Sequence, residues 1–227
     1  MGPRSIITID GPAGAGKSTV GRRLAQSLGY LYLDSGALYR AVAWQASRLG
    51  VNLDDPEAVA RFLAGFCPEI KADSAGFRLF MDGREVTGEL RADEVGGQAS
   101  RVAKIHAVRL WVNAQLRRLA DRRGVVAEGR DQGTVVFPDA GCKFYLDASE
   151  ETRAARRLLE LERLGQDVAL AAIRADLAAR DSQDKSRAEA PLTVPPGAWV
   201  IDTTNLGIDE VVKQCLARIE MAATNGT

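Results

Sequence analysis

The stretch Ser5-Ile-Ile-Thr-Ile-Asp-Gly-Pro-Ala-Gly-Ala-Gly-Lys-Ser-Thr-Val20 decides how this chain folds. It opens as a short apolar, β-rich run and breaks at Gly11-Pro12-Ala13-Gly14-Ala15-Gly16-Lys17-Ser18. From Thr19 it continues with helical patterning. The break has the spacing G-x-x-x-x-G-K-[ST], and strand, glycine-rich turn and helix in that order are the context in which the spacing forms a phosphate cradle. Gly11, Gly14 and Gly16 lack Cβ atoms, so the backbone can wrap its N–H groups around an anion. A helix beginning near Lys17 aims its unpaired N–H groups and positive dipole end at the same point. Lys17 adds a full charge for β- and γ-phosphates, and the Ser18 hydroxyl is placed to ligate Mg²⁺. A turn that merely joined a strand to a helix would not require Lys and Ser at these positions. Residues Gly11 to Thr19 are therefore read as a nucleoside-triphosphate site.

A chain of 227 residues suits one compact domain with inserts,. It buries roughly 70–75% of its unfolded surface and needs no staple. Thirty basic residues balance thirty acidic ones, for a formal net charge of zero. That argues against a general nucleic-acid or membrane-surface binder. Cys67, Cys142 and Cys215 are far apart and form no C-x-x-C pair. Reduced thiols packed as small apolar side chains are the expectation. Met1-Gly2-Pro3-Arg4 leads straight into the first strand without a secretory apolar region, and no run reaches membrane-spanning length,. The expectation is a soluble, cytoplasmic monomer.

Downstream, Val20 to Leu28 reads as an amphipathic helix stopped at Gly29, and Tyr30 to Leu33 as a second strand ending at Asp34-Ser35-Gly36,. A helix follows from Ala37 to about Leu49. Val125 to Glu128, Lys143 to Asp147 and Trp199 to Asp202 resemble buried parallel strands separated by helical segments. Strands alternating with helices imply an open parallel sheet covered on both faces, with ligands beyond the strands' carboxyl ends. Four of the five strands end in an acid (Asp10, Asp34, Glu128 and Asp147), which reads as a polar active-site rim. Phe77 to Met81, Asp82-Gly83 and Arg84 to Val86 carry a hairpin signal within an antiparallel insert at 69–90,. The charged run Arg180 to Arg187 reads as an exposed, mobile segment.

A long helix is expected over 98–123, with Val102, Ile105, Val112, Leu116 and Leu119 on one face,. Arg109 interrupts that stripe. An unpaired buried guanidinium would cost several kcal/mol. It therefore meets an acid or a polar ligand, or its head snorkels out to water. Arg101, Lys104, Arg117, Arg118, Arg122 and Arg123 fan out over several faces and read as solvated, and His106 as an ordinary surface residue. Gly129-Arg130-Asp131-Gln132-Gly133-Thr134 follows the third strand, where glycines permit close approach to a ligand and a local Arg130–Asp131 salt bridge is the alternative. Arg40 either pairs simply with Asp34 or joins Arg109, Arg130, Arg180 and Arg187 around a phosphate site. Bringing two anionic nucleotides together requires such neutralisation.

The chain resembles the bacterial cytidylate (CMP/dCMP) kinases. The resemblance is carried by Ile9 to Thr19, Leu33-Asp34-Ser35-Gly36-Ala37-Leu38-Tyr39-Arg40, Glu128-Gly129-Arg130-Asp131 and Gly133-Thr134-Val135-Val136-Phe137-Pro138-Asp139-Ala140. Arg180-Asp181 with Asp184 and Arg187, Ala190-Pro191-Leu192 and Ile201-Asp202-Thr203-Thr204 extend it almost to the C-terminus. The resemblance implies an α/β P-loop nucleoside-monophosphate-kinase fold: a five-stranded parallel sheet, order 2-3-1-4-5, flanked by helices, with a small antiparallel insert and a lid. It implies a single kinase domain over 1–227, with core 1–36, 98–150 and 190–227, a monophosphate-binding insert at about 37–97 and a lid at about 151–189.

The same resemblance implies ATP and Mg²⁺ as cofactors and CMP and dCMP as substrates. Gly11, Pro12, Ala13, Gly14, Ala15, Gly16, Lys17, Ser18 and Thr19 would bind ATP, with Ser18 on the metal. Arg40 and Arg130 would hold the CMP phosphate, and Ser35, on the turn before Arg40, would also bind CMP. Ser100, Arg109 and Asp131 would read the cytosine edge, and Asp184 would meet the ribose hydroxyls. Lys17, Arg130, Arg180 and Arg187 would act on the transferring phosphoryl group. Gln132 departs from the aliphatic residue usual after Gly-Arg-Asp, and Gln183 with Lys185 makes the lid less arginine-rich. The nearest alternative is a kinase for UMP, AMP or shikimate. A switch or RNA-associated NTPase lacks its N-K-x-D or Asp-Glu signature here, and a silent nucleotide-binding module would not keep Lys17, Ser18 and the lid arginines.

Overall fold

The computed structural model describes residues 5–225 except Ala92, Arg122 and Leu164. Arg122, one of the basic fan, thus lies outside the described residues. Five strands, β1 (Ile6–Asp10), β2 (Leu31–Asp34), β6 (Val125–Gly129), β7 (Cys142–Asp147) and β8 (Trp199–Asp202), form one sheet ordered β2-β6-β1-β7-β8. All its pairs are parallel. Counting only these five strands, that is the expected order 2-3-1-4-5. Every residue of β6 is buried, as a central strand covered on both faces requires,.

Helix α1 (Lys17–Leu28) leaves the glycine-rich loop and stops at Gly29, whose left-handed backbone (φ 65°) returns its N–H to the last carbonyls. α2 (Ser35–Arg48) starts directly from β2, with the Asp34 carboxylate accepting from Ala37 N at 2.8 Å. That is an ordinary N-cap, worth ~1 kcal/mol. After α3 (Pro56–Gly65), β3 (Glu69–Ala72), β4 (Phe77–Met81) and β5 (Arg84–Glu85) make a small antiparallel sheet. Asp82 and Gly83 both have positive φ (50° and 78°), the geometry a two-residue type I′ hairpin turn needs.

The helix expected over 98–123 is two helices, α4 (Asp93–Val102) and α5 (His106–Ala120). The chain tightens to i→i−3 bonds at Lys104 and Ile105, and Ile105 turns extended (ψ 114°) before α5 begins. Neither Gly nor Pro marks this break, and the apolar stripe runs through it because both helices face the same core. The run expected to be exposed and mobile at 180–187 is instead mostly helical. It ends α7 (Leu170–Ser186), which pairs with α6 (Glu150–Arg163). Asp181 and Asp184 are buried because arginines partner both. The α6–α7 unit has its own small cluster of Ala154, Leu161, Ile173 and Leu177, separate from the main core. α8 (Ile208–Asn225) closes the chain against α1.

Cys142 and Cys215 pack in the core as expected, whereas Cys67 is exposed; all three are free thiols. Among the described residues, no helix is long and apolar enough to cross a membrane.

Candidate active site

The carboxyl ends of β1 and β6 converge with the start of α1. Gly11, Gly14 and Gly16 all take positive φ (146°, 77° and 88°). A Cβ on Gly11 would lie 2.0 Å from the Leu146 carbonyl oxygen, so the loop passes β7 at a distance only glycine allows. Lys17 is buried, and its Nζ donates to the Pro12 carbonyl at 2.6 Å. Burial first, and then the neighbouring Arg130 charge, push the Lys17 ammonium down to about 7; Glu128, Asp184 and Asp10 partly offset this. Ser18 and Thr19 are exposed at the mouth of the loop. The Ser18 hydroxyl also meets the carboxylate of Glu128.

Glu128 is fully enclosed. Tyr32 donates its hydroxyl to it at 2.5 Å, and burial, reinforced by Asp34, raises its pKa. Asp10 is equally buried and accepts from Gln132 N (2.8 Å) and Gly133 N (2.7 Å). Those two N–H groups begin a single π turn, Gln132–Val136. Such turns recur at functional sites. Desolvation holds the Asp10 carboxyl up at about 6. Of the four strand-end acids, then, Asp10 and Glu128 line the buried base of the site. Asp34 caps α2 and pairs with Arg40 (3.1 Å), the simple alternative foreseen for that arginine. Asp147 is exposed and bonds its own neighbour Ala148 N, so it is not part of the rim.

Above this base, Arg130 Nε donates to Asp184 Oδ2 (2.7 Å), and Arg187 Nη2 lies 3.1 Å from Asp184 Oδ1. One carboxylate from the end of α7 thus gathers two guanidinium groups beside Lys17. Arg130 does not pair with its neighbour Asp131. Asp131 instead accepts through Oδ2 from Nη2 of Arg109, with both side chains buried. Arg109 therefore neither snorkels nor stands alone. Ser35 donates to the Glu128 carbonyl at 2.8 Å, and Ser100 is half-buried on α4. Arg180 is directed elsewhere: its Nε pairs with Asp176 (2.9 Å) and its guanidinium lies over Gly96 of α4, where a Cβ would meet it at 2.6 Å. The arrangement holds a surplus of donors. Arg40 Nε, Arg187 Nε and the Tyr39 hydroxyl are buried without an acceptor. Orphaned donors of that kind are costly unless a ligand satisfies them.

Two contributors were not singled out from sequence, and a third was given a lesser part. Arg153 on α6 ties Ala13 O (3.2 Å), Ala148 O (3.1 Å) and Asp181 Oδ2 (2.5 Å) together. Tyr32 read only as an apolar strand residue. Asp10 read as a rim acid, yet it organises the loop after β6 from beneath. Nothing in local spacing marks a buried arginine on an otherwise charged helix.

A phosphate-wrapping loop on an α/β parallel sheet, with cations gathered opposite it, defines a P-loop phosphotransferase. The described residues match the fold of an uncharacterised protein from Eubacterium ventriosum with a TM-score of 0.54, at 13% identity, covering 95% of this chain and 98% of that one. Residues 7–221 match the family model described as cytidylate kinase, and the chain belongs to that family. It is 43% identical over 223 residues to a cytidylate kinase of Pseudomonas savastanoi pv. phaseolicola, covering 97% of each chain. It is likewise 43% identical over 212 residues to a cytidylate kinase of Edwardsiella ictaluri, covering 93% of this chain and 94% of that one.

Proposed function

We propose that this chain transfers the γ-phosphoryl group of ATP to CMP and dCMP, giving ADP with CDP or dCDP. One observation supports this reading above the others. Lys17 of the phosphate loop sits among Arg130, Asp184 and Glu128, and buried donors of Arg40 and Arg187 await an acceptor. Two polyanions can meet there because cations stand on both sides of the meeting point.

The chemistry is placement and charge stabilisation. Gly11 to Thr19 cradle the triphosphate, and Lys17 holds its β- and γ-oxygens. Among the described residues, no cluster of three or more His, Cys, Asp or Glu side chains is built to hold a metal. Ser18 would be the protein ligand for an Mg²⁺ arriving with ATP, and Glu128 fixes the Ser18 hydroxyl from behind. When bound, the ion would supply positive charge against the developing phosphate charge. A CMP phosphate oxygen, already ionised at neutral pH, attacks the γ-phosphorus; the bond to the β-bridging oxygen breaks and ADP leaves. No protein base is needed.

Arg40 and Arg130 hold the acceptor phosphate, with Ser35 ordering the turn between them. Ser100, Arg109 and Asp131 read the cytosine edge, and Asp184 meets the ribose. Arg187, with Arg180 after α7 moves toward the loop, stabilises the group in flight and excludes water. In this reading residues 37–97 form the acceptor insert and 151–189 the lid, over a core of 1–36, 98–150 and 190–227. The enzyme works as a cytoplasmic monomer on small molecules, with no nucleic-acid or membrane partner, in keeping with its zero net charge. An ADP-release assay across nucleoside monophosphates at fixed Mg·ATP tests the proposal. Turnover is expected with CMP and dCMP, and its absence with both overturns the assignment.

A further inference from the structure

Beyond the edge strand β2 lies a cavity of ≈ 410 Å³ that none of the nucleotide-loop or base-reading residues lines. Its walls come from α1, α2 and the turn joining β3 to β4, and Phe77 and Leu90 contribute apolar surface. Its volume falls within the range of small-molecule sites, ~300–1,000 Å³. That turn is tied to the sheet, because Tyr32 N donates to the Asp73 carbonyl at 3.0 Å.

Three arginines line the cavity against two acids, and both acids are already committed. Asp34 accepts from Ala37 N through one oxygen and from Arg40 through the other. Asp73 accepts from Ala75 N and Gly76 N through Oδ1, each at 2.8 Å, and from Arg78 through Oδ2 at 3.1 Å. Arg22 lies 6.0 Å from the centre of the Tyr32 ring and pairs with no acid among the described residues. Arg40 Nε is buried with no acceptor. The cavity therefore offers guanidinium N–H groups in excess of the oxygens present to accept them. That is the chemistry of an oxyanion site, since the planar forks of arginine suit phosphate.

We propose that this cavity is a second ligand site, for a phosphorylated small molecule, separate from the phosphoryl-transfer site. Binding there needs nothing from the functional assignment above; only its effect on turnover rests on that reading, through Arg40, which stands between the two sites. A ligand that engages Arg40 from the cavity holds it away from the acceptor phosphate and raises the KM for CMP.

The test is an amide-resolved NMR titration of the full chain, with inorganic pyrophosphate in one arm and CTP in the other. Ala37, Ala75 and Gly76 amides are expected to shift saturably, with a Kd different from that of Gly14 and Gly16 in the nucleotide loop. The double variant Arg22→Ala/Arg78→Ala should weaken the cavity Kd at least tenfold and leave both the loop Kd and unliganded CMP turnover within twofold. A tighter cavity Kd for CTP identifies an organic phosphate as the ligand, and a tighter one for pyrophosphate a bare phosphate. Cavity amides that do not saturate, or that respond equally in the double variant, overturn the proposal. CMP turnover without added ligand tests the functional assignment separately.

Discussion

Arg109 of α5 donates to Asp131 in the loop after β6, and the two side chains bury one another's charge. Each is the other's compensation. Removing one partner of such a pair strands a buried charge, at a cost of about 3–5 kcal/mol, whereas replacing both by apolar groups is often neutral. Arg109→Met should therefore lower the thermal midpoint by about 6–20 °C, at roughly 2–4 °C per kcal/mol for a chain of this size. The double variant Arg109→Met/Asp131→Leu should recover most of that loss. Scanning calorimetry decides it, and an additive double variant would show that the two charges are not coupled.

Lys17 gives the ligand-free protein a pH signature. Its pKa lies below the unfolded-state value, near 7 against 10.5, chiefly because it is desolvated. A depressed folded pKa contributes stability that is present above the unfolded pKa and is lost as pH falls through the folded one. Lys17 therefore makes stability rise between about pH 7 and 10.5. Asp10 acts over a lower window. Its folded pKa of about 6 exceeds the ordinary 3.8, so its contribution is full below 3.8 and is lost as pH rises through 6. Urea midpoints measured from pH 7 to 10 should climb less steeply in Lys17→Met than in the wild type. Parallel curves would place the lysine in a wetter, unperturbed setting.

The hairpin and the nucleotide loop were legible because each depends on local signals: an Asp-Gly pair, glycines before Lys and Ser. Strand spacing announced a parallel sheet, but its order was implied by the family resemblance alone, because which strands are neighbours is a long-range matter. The break between α4 and α5 was not, since Ala103, Lys104 and Ile105 are unremarkable in composition and the apolar stripe continues through them. The 180–187 run misled for a physical reason. Its charge density suggested solvent, yet Asp181 and Asp184 are buried because Arg153 and Arg130 arrive from distant segments, with Arg187 of the same run adding to Asp184. Long-range pairing of that kind leaves no trace in spacing. Arg109 shows the converse case: a charge inside an apolar stripe marked the position but left a buried partner and a snorkelling head as alternatives, and Asp131 decides between them.

Gln132 departs from the pattern of the family that the sequence resembles, and its side chain is almost completely enclosed. Its Nε2 donates to Asp131 Oδ1 at 3.3 Å, opposite the oxygen held by Arg109, while its Oε1 has no partner. An orphaned buried acceptor costs about 1–3 kcal/mol. Gln132→Met keeps the length and removes the amide. It should raise the thermal midpoint by a few degrees while loosening Asp131 and raising the KM for CMP severalfold, with kcat little changed. Unaltered KM in a stabilised variant would reduce the glutamine to packing.

Arg153 is the fastening between α6, α7 and the nucleotide loop. Its guanidinium spans Ala13 O, Ala148 O and Asp181, and Gly14 passes so close that a Cβ there would touch Arg153 at 3.0 Å. The α6–α7 unit has only a four-residue cluster of its own, so its position over the loop depends on such cross-links. Arg153→Met leaves Asp181 buried without its ion-pair partner and frees one carbonyl of the loop. About 3–5 kcal/mol of stability should go. The KM for ATP should rise at least tenfold and kcat should fall, because α7 carries Asp184 and leads into Arg187. Adding Asp181→Asn should restore the stability, by removing the stranded charge, but not the ATP affinity, because the anchor to Ala13 is still missing. Steady-state kinetics beside calorimetry on the single and double variants separate the two effects. Recovery of both together would mean that the arginine serves the ion pair alone.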